Sequence, residues 1–117
     1  MNHKVMNKFG VPCSKLKGML DGSEVPCTSE TEAMAMAAGA WFAGKPSIVY
    51  LQNSGLGNIV DPVMSLYKPY QIPLPTLIVS NRCSPYHHSY MYDITRKLLD
   101  LIGYENYAEV DQKKRID

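Results

Sequence analysis

The stretch Ile48-Val49-Tyr50-Leu51-Gln52-Asn53-Ser54-Gly55-Leu56-Gly57-Asn58-Ile59-Val60 constrains what this chain can fold into more than any other. A β-rich apolar run breaks abruptly into a polar, glycine-bearing turn, and the turn leads straight into the helix-like segment 59–66. The pattern is strand, tight loop, helix. In open α/β sheets the loop at the carboxyl end of a parallel strand is where ligands sit, because helix N-termini and free backbone N–H groups converge there. Gly55 and Gly57 keep backbone accessible where side chains would block a ligand.

The flanking sequence supplies more units of the same kind. Residues 6–9 suit a short strand, and Gly10-Val11-Pro12-Cys13-Ser14 turns it into a helix over 15–20 with Ser14 as N-cap. Val25-Pro26-Cys27 is extended, since Pro26 drives its predecessor away from helix. Ser29-Glu30-Thr31-Glu32 is a capping box in which Ser29 takes the Glu32 N–H while the Glu32 carboxylate returns to that of Ser29. It opens a thin, alanine-rich helix to which Met34, Trp41 and Phe42 add bulk, and Gly44 with Pro46 stops it. Residues 76–80 form a second buried strand, apolar nearly throughout as central parallel strands are. A polar, aromatic loop over 81–90 carries Arg82, His87 and His88, and a last helix over 93–102 puts Ile94, Leu98, Leu101 and Ile102 on one face before Gly103. Strand and helix alternate, which predicts an α/β fold, an open parallel sheet flanked by helices, in a single domain of 117 residues.

Composition removes several function classes. A formal net charge of +1 offers no long-range field for nucleic acid or an anionic membrane, and the only basic cluster, Lys113-Lys114-Arg115, lies in the tail. No apolar run is long enough to span a bilayer and residues 1–10 contain no signal-peptide core, so a cytoplasmic chain is expected. Three cysteines, Cys13, Cys27 and Cys83, form no C-x-x-C pair, which suits a reducing compartment. A zinc site joining Cys83 to His87 or His88 lacks the paired short spacings of such sites, so no metal ligand is assigned.

The string Gln52-Asn53-Ser54-Gly55-Leu56-Gly57-Asn58, with Tyr50-Leu51 before it and Ser65-Leu66 and Ile72-Pro73-Leu74 after it, resembles the N-terminal, pyrimidine-binding domain of thiamine-diphosphate-dependent 2-keto acid decarboxylases. It is most similar to the phosphonopyruvate and sulfopyruvate decarboxylases, and the likeness runs from Gly10 to about Val110. In that family a further helix precedes the first strand, and another helix and strand follow, so the resemblance implies a domain incomplete at both ends.

The resemblance also implies roles. The cofactor carries the carbanion chemistry and the protein orients it. A carboxylate must hydrogen-bond its aminopyrimidine, and in the family this is a glutamate just ahead of an alanine-rich helix ending in Ala-Ala-Gly, the place held here by Glu30 before Ala37-Ala38-Gly39. Read without the family, Glu30 is an exposed first-turn acid worth a few tenths of a kcal/mol against the helix dipole. Gln52, Asn53, Ser54, Gly55 and Asn58 would face the cofactor; read alone they are a polar turn bonding its own backbone. His88 aligns with a family histidine and would move protons during product release, whereas two loop histidines are otherwise solvated. Cys13, Ser14, Arg82 and His87 would meet the substrate, a small 2-keto acid with an anionic tail, Arg82 by bidentate contact with a phosphonate or sulfonate. Cys83 and Tyr92 stand where the family tends to have glycines. Magnesium and the cofactor's diphosphate belong in the family to a second domain with a Gly-Asp-Gly…Asn-Asn motif that this sequence lacks, so a diphosphate-binding partner subunit or domain, and an oligomer, are expected.

Two other readings remain open at this level. Gly55-x-Gly57-x-x-Val60 after a strand is an incomplete dinucleotide fingerprint, with Val60 in place of the third glycine. A truncated, non-catalytic subunit of the same fold is the other. A hydrolase is not favoured, because Ser54 lacks the G-x-S-x-G elbow.

Overall fold

The computed structural model describes residues 6–12, 23–83 and 89–111. Five strands form one sheet: β1 (Asn7–Gly10), β2 (Val25–Pro26), β3 (Ser47–Gln52), β4 (Thr76–Asn81) and β5 (Tyr107–Asp111). Their order is β2-β1-β3-β4-β5, and every pair is parallel. The chain moves outward from β1 to β2, then crosses back to β3 and continues to β5. This reversal lies between β1 and β3, and the crevice beyond the carboxyl ends of two such strands is where open α/β sheets take ligands.

The parallel α/β architecture is the one the alternating pattern predicts. The fifth strand is an addition. No strand is expected from the sequence after Gly103, yet Tyr107–Asp111 pairs with β4 from Leu77↔Tyr107 to Asn81↔Asp111. Tyr107 and Glu109 are half-buried on one face of this strand and Val110 on the other, while Ala108 is exposed, too little apolar periodicity to mark a strand in the sequence.

The helices are α1 (Glu30–Phe42), α2 (Val60–Pro62) and α3 (Ser89–Leu101), and α2 is the middle of a compound run. The segment expected as a tight loop is a 3-10 helix, Asn53–Ile59, and a π-helical turn, Val63–Tyr67, follows α2. The tighter winding brings Leu56 and Ile59 into the core while Ser54, Gly57 and Asn58 stay exposed.

One face of the sheet carries the core. Phe9 lies opposite Val49 and Val49 opposite Leu77; Leu51 lies opposite Val79. All five are buried with Ala33, Met34, Ala37 and Ala38 of α1, with Leu56, Ile59, Val63 and Tyr67, and with Leu99. The alanines let α1 lie close over β1 and β3, as its thin composition predicts. The opposite sheet face is less covered than expected for central strands: Ile48, Tyr50 and Ile78 are only half-buried among the described residues. Trp41 and Phe42 are exposed, packed edge-to-face on each other rather than into the core.

α3 begins four residues earlier than the sequence suggests, and its expected apolar face is only half correct. Leu98 packs against the core and Ile102, just past the helix, is buried as expected; Thr95 and Leu99 are buried beside them, whereas Ile94 and Leu101 are exposed. On its outer side Arg96 of α3 donates to Glu109 of β5 at 2.6 Å, and Asn81 of β4 donates to the same carboxylate. Two buried tyrosines complete the frame, Tyr67 donating to the Met34 carbonyl and Tyr104 to that of Pro75, each at 2.6 Å. No described helix is long and apolar enough to cross a membrane.

Candidate active site

The site begins with how α1 starts. Ser29 is the N-cap, with extended backbone, and its hydroxyl accepts the Glu32 N–H at 3.1 Å. The other half of the expected capping box is displaced by one residue. Glu32 reaches past Ser29 to accept from the Thr28 N–H at 2.6 Å and the Thr28 hydroxyl at 2.9 Å. Those bonds, the backbone one foremost, hold the Glu32 carboxyl below the usual carboxylate range. Glu32 is thereby turned back along the chain, and the two first-turn acids part.

Glu30 goes the other way, across to the 3-10 helix. Its Oε1 accepts from Nδ2 of Asn58 at 2.8 Å. The backbone of Asn58 is held in turn, its carbonyl accepting from the Thr31 hydroxyl at 2.7 Å. Between them lies Gly55. A Cβ built on it would sit 2.1 Å from Glu30 Oε2 and 2.2 Å from Cδ, so the carboxylate occupies the space a side chain would need. The glycine is required here for close approach rather than for an unusual φ, since its φ is not positive.

A second group of polar side chains joins the ends of β3 and β4. Asn53 is fully buried; its Nδ2 donates to the Arg82 carbonyl and its Oδ1 accepts the Arg82 N–H, both at 3.0 Å. Both amide atoms of Asn53, which the sequence places among the expected cofactor contacts, are engaged by Arg82 backbone, so the residue also braces the ends of β3 and β4. Gln52 and Arg82 are half-buried beside it. Arg82 Nη1 donates to Gln52 Oε1 at 3.4 Å, and Gln52 Nε2 donates to Ser54 Oγ at 2.7 Å.

The structure thus brings together Glu30, Gln52, Asn53, Ser54, Gly55, Asn58 and Arg82 at the carboxyl end of the sheet. Cys13, Ser14, His87 and His88, and the helix expected over 15–20, lie outside the described residues. Thr31 is a site residue that sequence reasoning missed. Nothing in a first-turn threonine signals a partner twenty-seven positions away. Cys27 takes no part: it is buried, and burial foremost, then the Glu32 charge, push its thiol up and away from the nucleophilic thiolate. Among the described residues no three His, Cys, Asp or Glu side chains come together as a metal site.

Fold and site together define a class: an α/β domain whose parallel sheet presents, at its ligand end, a carboxylate held between a helix N-terminus and a glycine-bearing 3-10 turn. No family model matches the chain. It is 44% identical over 79 residues to sulfopyruvate decarboxylase subunit alpha of Methanocaldococcus jannaschii, covering 62% of this chain and 46% of that protein. The corresponding subunit of Methanothermobacter thermautotrophicus is 46% identical over 79 residues, 62% of this chain and 47% of its own. Phosphonopyruvate decarboxylase of Streptomyces viridochromogenes is 38% identical over 108 residues, 82% of this chain and 27% of that enzyme. The chain is a relative of the sulfopyruvate and phosphonopyruvate decarboxylases, and it spans less than half the length of these three relatives.

Proposed function

We propose that this chain is the pyrimidine-binding half of a thiamine-diphosphate-dependent carboxy-lyase acting on a 2-keto acid with an anionic tail, phosphonopyruvate or sulfopyruvate. The observation that carries the reading is the Glu30 carboxylate, fixed by Asn58 over Gly55 at the carboxyl end of the sheet. Its second oxygen has no hydrogen-bond partner among the described residues, which suits it to accept from a ring N–H of the aminopyrimidine. When bound, thiamine diphosphate would supply the electron sink that takes up the electron pair of the C–C bond to the leaving carboxylate as carbon dioxide departs. The chain's own residues orient and exclude: Glu30 holds a proton at the pyrimidine ring, Gly55 gives room for the Glu30 carboxylate, and Gln52 and Ser54 line the turn. Arg82, whose guanidinium among the described residues meets Gln52 at 3.4 Å, would turn to a phosphonate or sulfonate. In this reading His88 moves the proton needed at product release, and Cys13, Ser14 and His87 touch substrate.

The relatives' description as subunit alpha supports a partner that binds the diphosphate and magnesium. Exposure supports it too. Asn58 and Ser54 are exposed and Glu30 half-buried, an open half-site that a second surface would enclose. A cytoplasmic oligomer with that partner is part of the proposal. A dinucleotide is disfavoured by the same geometry, because its pyrophosphate would have to settle on a turn already covered by an anion, the Glu30 carboxylate.

Glu30→Gln, assayed for carbon dioxide release in the assembly with the diphosphate-binding partner, is expected to lower turnover about a hundredfold or more. Activity within a few-fold of wild type overturns the assignment. A wild-type assembly that releases no carbon dioxide from either keto acid favours the non-catalytic subunit.

A further inference from the structure

We infer that Thr31 and Asn58 are positioning residues that form a clasp on Glu30, committing its Oε1 to the protein and presenting only Oε2 to a ligand. The inference rests on the reading of Glu30 given above and adds the device that orients it.

A glutamate has three side-chain torsions, and a half-buried one on a helix N-terminus would sample several rotamers. Here three contacts remove that freedom. Asn58 Nδ2 donates to Oε1 at 2.8 Å, and the backbone that carries this amide is itself anchored, the Asn58 carbonyl accepting from Thr31 Oγ1 at 2.7 Å. Gly55 backs the carboxylate on its Oε2 side. Thr31 and Glu30 are adjacent on α1, and Asn58 is the penultimate residue of the 3-10 helix, so the clasp crosses between the two elements at two points. The effect is chemical as well as mechanical. A carboxylate with both oxygens free accepts from a ligand in several geometries, whereas one with a committed oxygen accepts along one direction, and geometry set in advance is what a proton-holding group contributes.

The clasp has a signature that needs no cofactor. In the full chain labelled with 15N-asparagine, the Asn58 side-chain NH2 resonance is expected to move as the carboxylates are titrated with acid, and Glu30→Gln is expected to abolish that movement. Thr31→Val is expected to shift the same resonance and Thr31→Ser to restore it, because serine keeps the hydroxyl. In the assembly with its partner, Asn58→Ala is expected to lower kcat about tenfold with KM for the keto acid within twofold, and Thr31→Val to lower kcat less, with recovery in Thr31→Ser. An Asn58 resonance indifferent to Glu30→Gln overturns the clasp. So does an Asn58→Ala assembly that matches wild type while Glu30→Gln is inactive. If Glu30→Gln is itself fully active, the catalytic reading of Glu30 fails, and with it the positioning role.

Discussion

Gly55→Ala tests the site at the one position where a single methyl group separates fold from function. The three atoms nearest the added Cβ all belong to Glu30, at 2.1, 2.2 and 2.8 Å, and ordinary van der Waals contact begins at 3.4 Å. The carboxylate must therefore withdraw by about 1.3 Å, and it can, because it ends a flexible side chain. That withdrawal breaks the 2.8 Å bond to Asn58, which costs about 0.5–1.5 kcal/mol. Against this, alanine at a non-positive φ narrows the unfolded ensemble and contributes about 0.4–1 kcal/mol. The two nearly cancel, so scanning calorimetry should find the melting temperature within about 4 °C of wild type. Turnover in the assembly should nevertheless fall about a hundredfold, as for Glu30→Gln. A drop in melting temperature of more than about 10 °C would show that backbone, and not Glu30, yields to the methyl group. Full activity would refute the claim that the placement of Glu30 matters.

Asn53→Leu removes both bonds to Arg82 backbone and leaves a half-buried N–H and C=O without these partners, so a loss of about 1–3 kcal/mol is expected in urea unfolding, with a wild-type value refuting the brace. Burial pushes Tyr67 and Tyr104 well above the ordinary tyrosine value of 10.0, the Tyr67 charge adding to the effect at Tyr104. Their contribution to stability is therefore full below about pH 10 and lost as pH rises toward the higher folded values, at about 1.4 kcal/mol per pH unit for each. The urea midpoint should fall steeply between about pH 10 and about pH 11.5, and the double variant Tyr67→Phe with Tyr104→Phe should flatten that fall.

The parts of the fold that local chemistry specifies were legible in the sequence. Ser29 caps α1, Gly44 ends it with φ +82, and the apolar runs around Val49 and Leu77 are the central strands. What escaped depends on residues distant along the chain. β5 exists because β4 offers it a ladder, not because Tyr107–Asp111 has strong β character of its own. Apolar periodicity placed Ile94, Leu98, Leu101 and Ile102 on one face of α3, and only Leu98 and Ile102 pack against the core, because which side of a helix meets the sheet is decided by residues far along the chain. The 3-10 winding of Asn53–Ile59 is likewise set by where Asn53 and Asn58 find partners, Arg82 and Glu30, each almost thirty positions away.

Those long-range bonds also explain why the site is placed where it is. β3 and β4 run parallel, so their ends arrive side by side, and Asn53 joins them through Arg82 without using the side chain of Arg82. α1 lies over β1 and β3, and its N-terminus points to the same end of the sheet as the strands' carboxyl termini because the helix runs antiparallel to them. The 3-10 helix leaves β3 directly and passes in front of that N-terminus, close enough for Gly55 to touch Glu30. The acid thus stands at the positive end of α1, where its charge is favoured, while Asn58 and Thr31 hold it. A glutamate elsewhere on the helix would lack the dipole, the glycine or the clasp. The conjunction of all three at Glu30 is what the resemblance alone, which marks the residue but not its surroundings, does not contain.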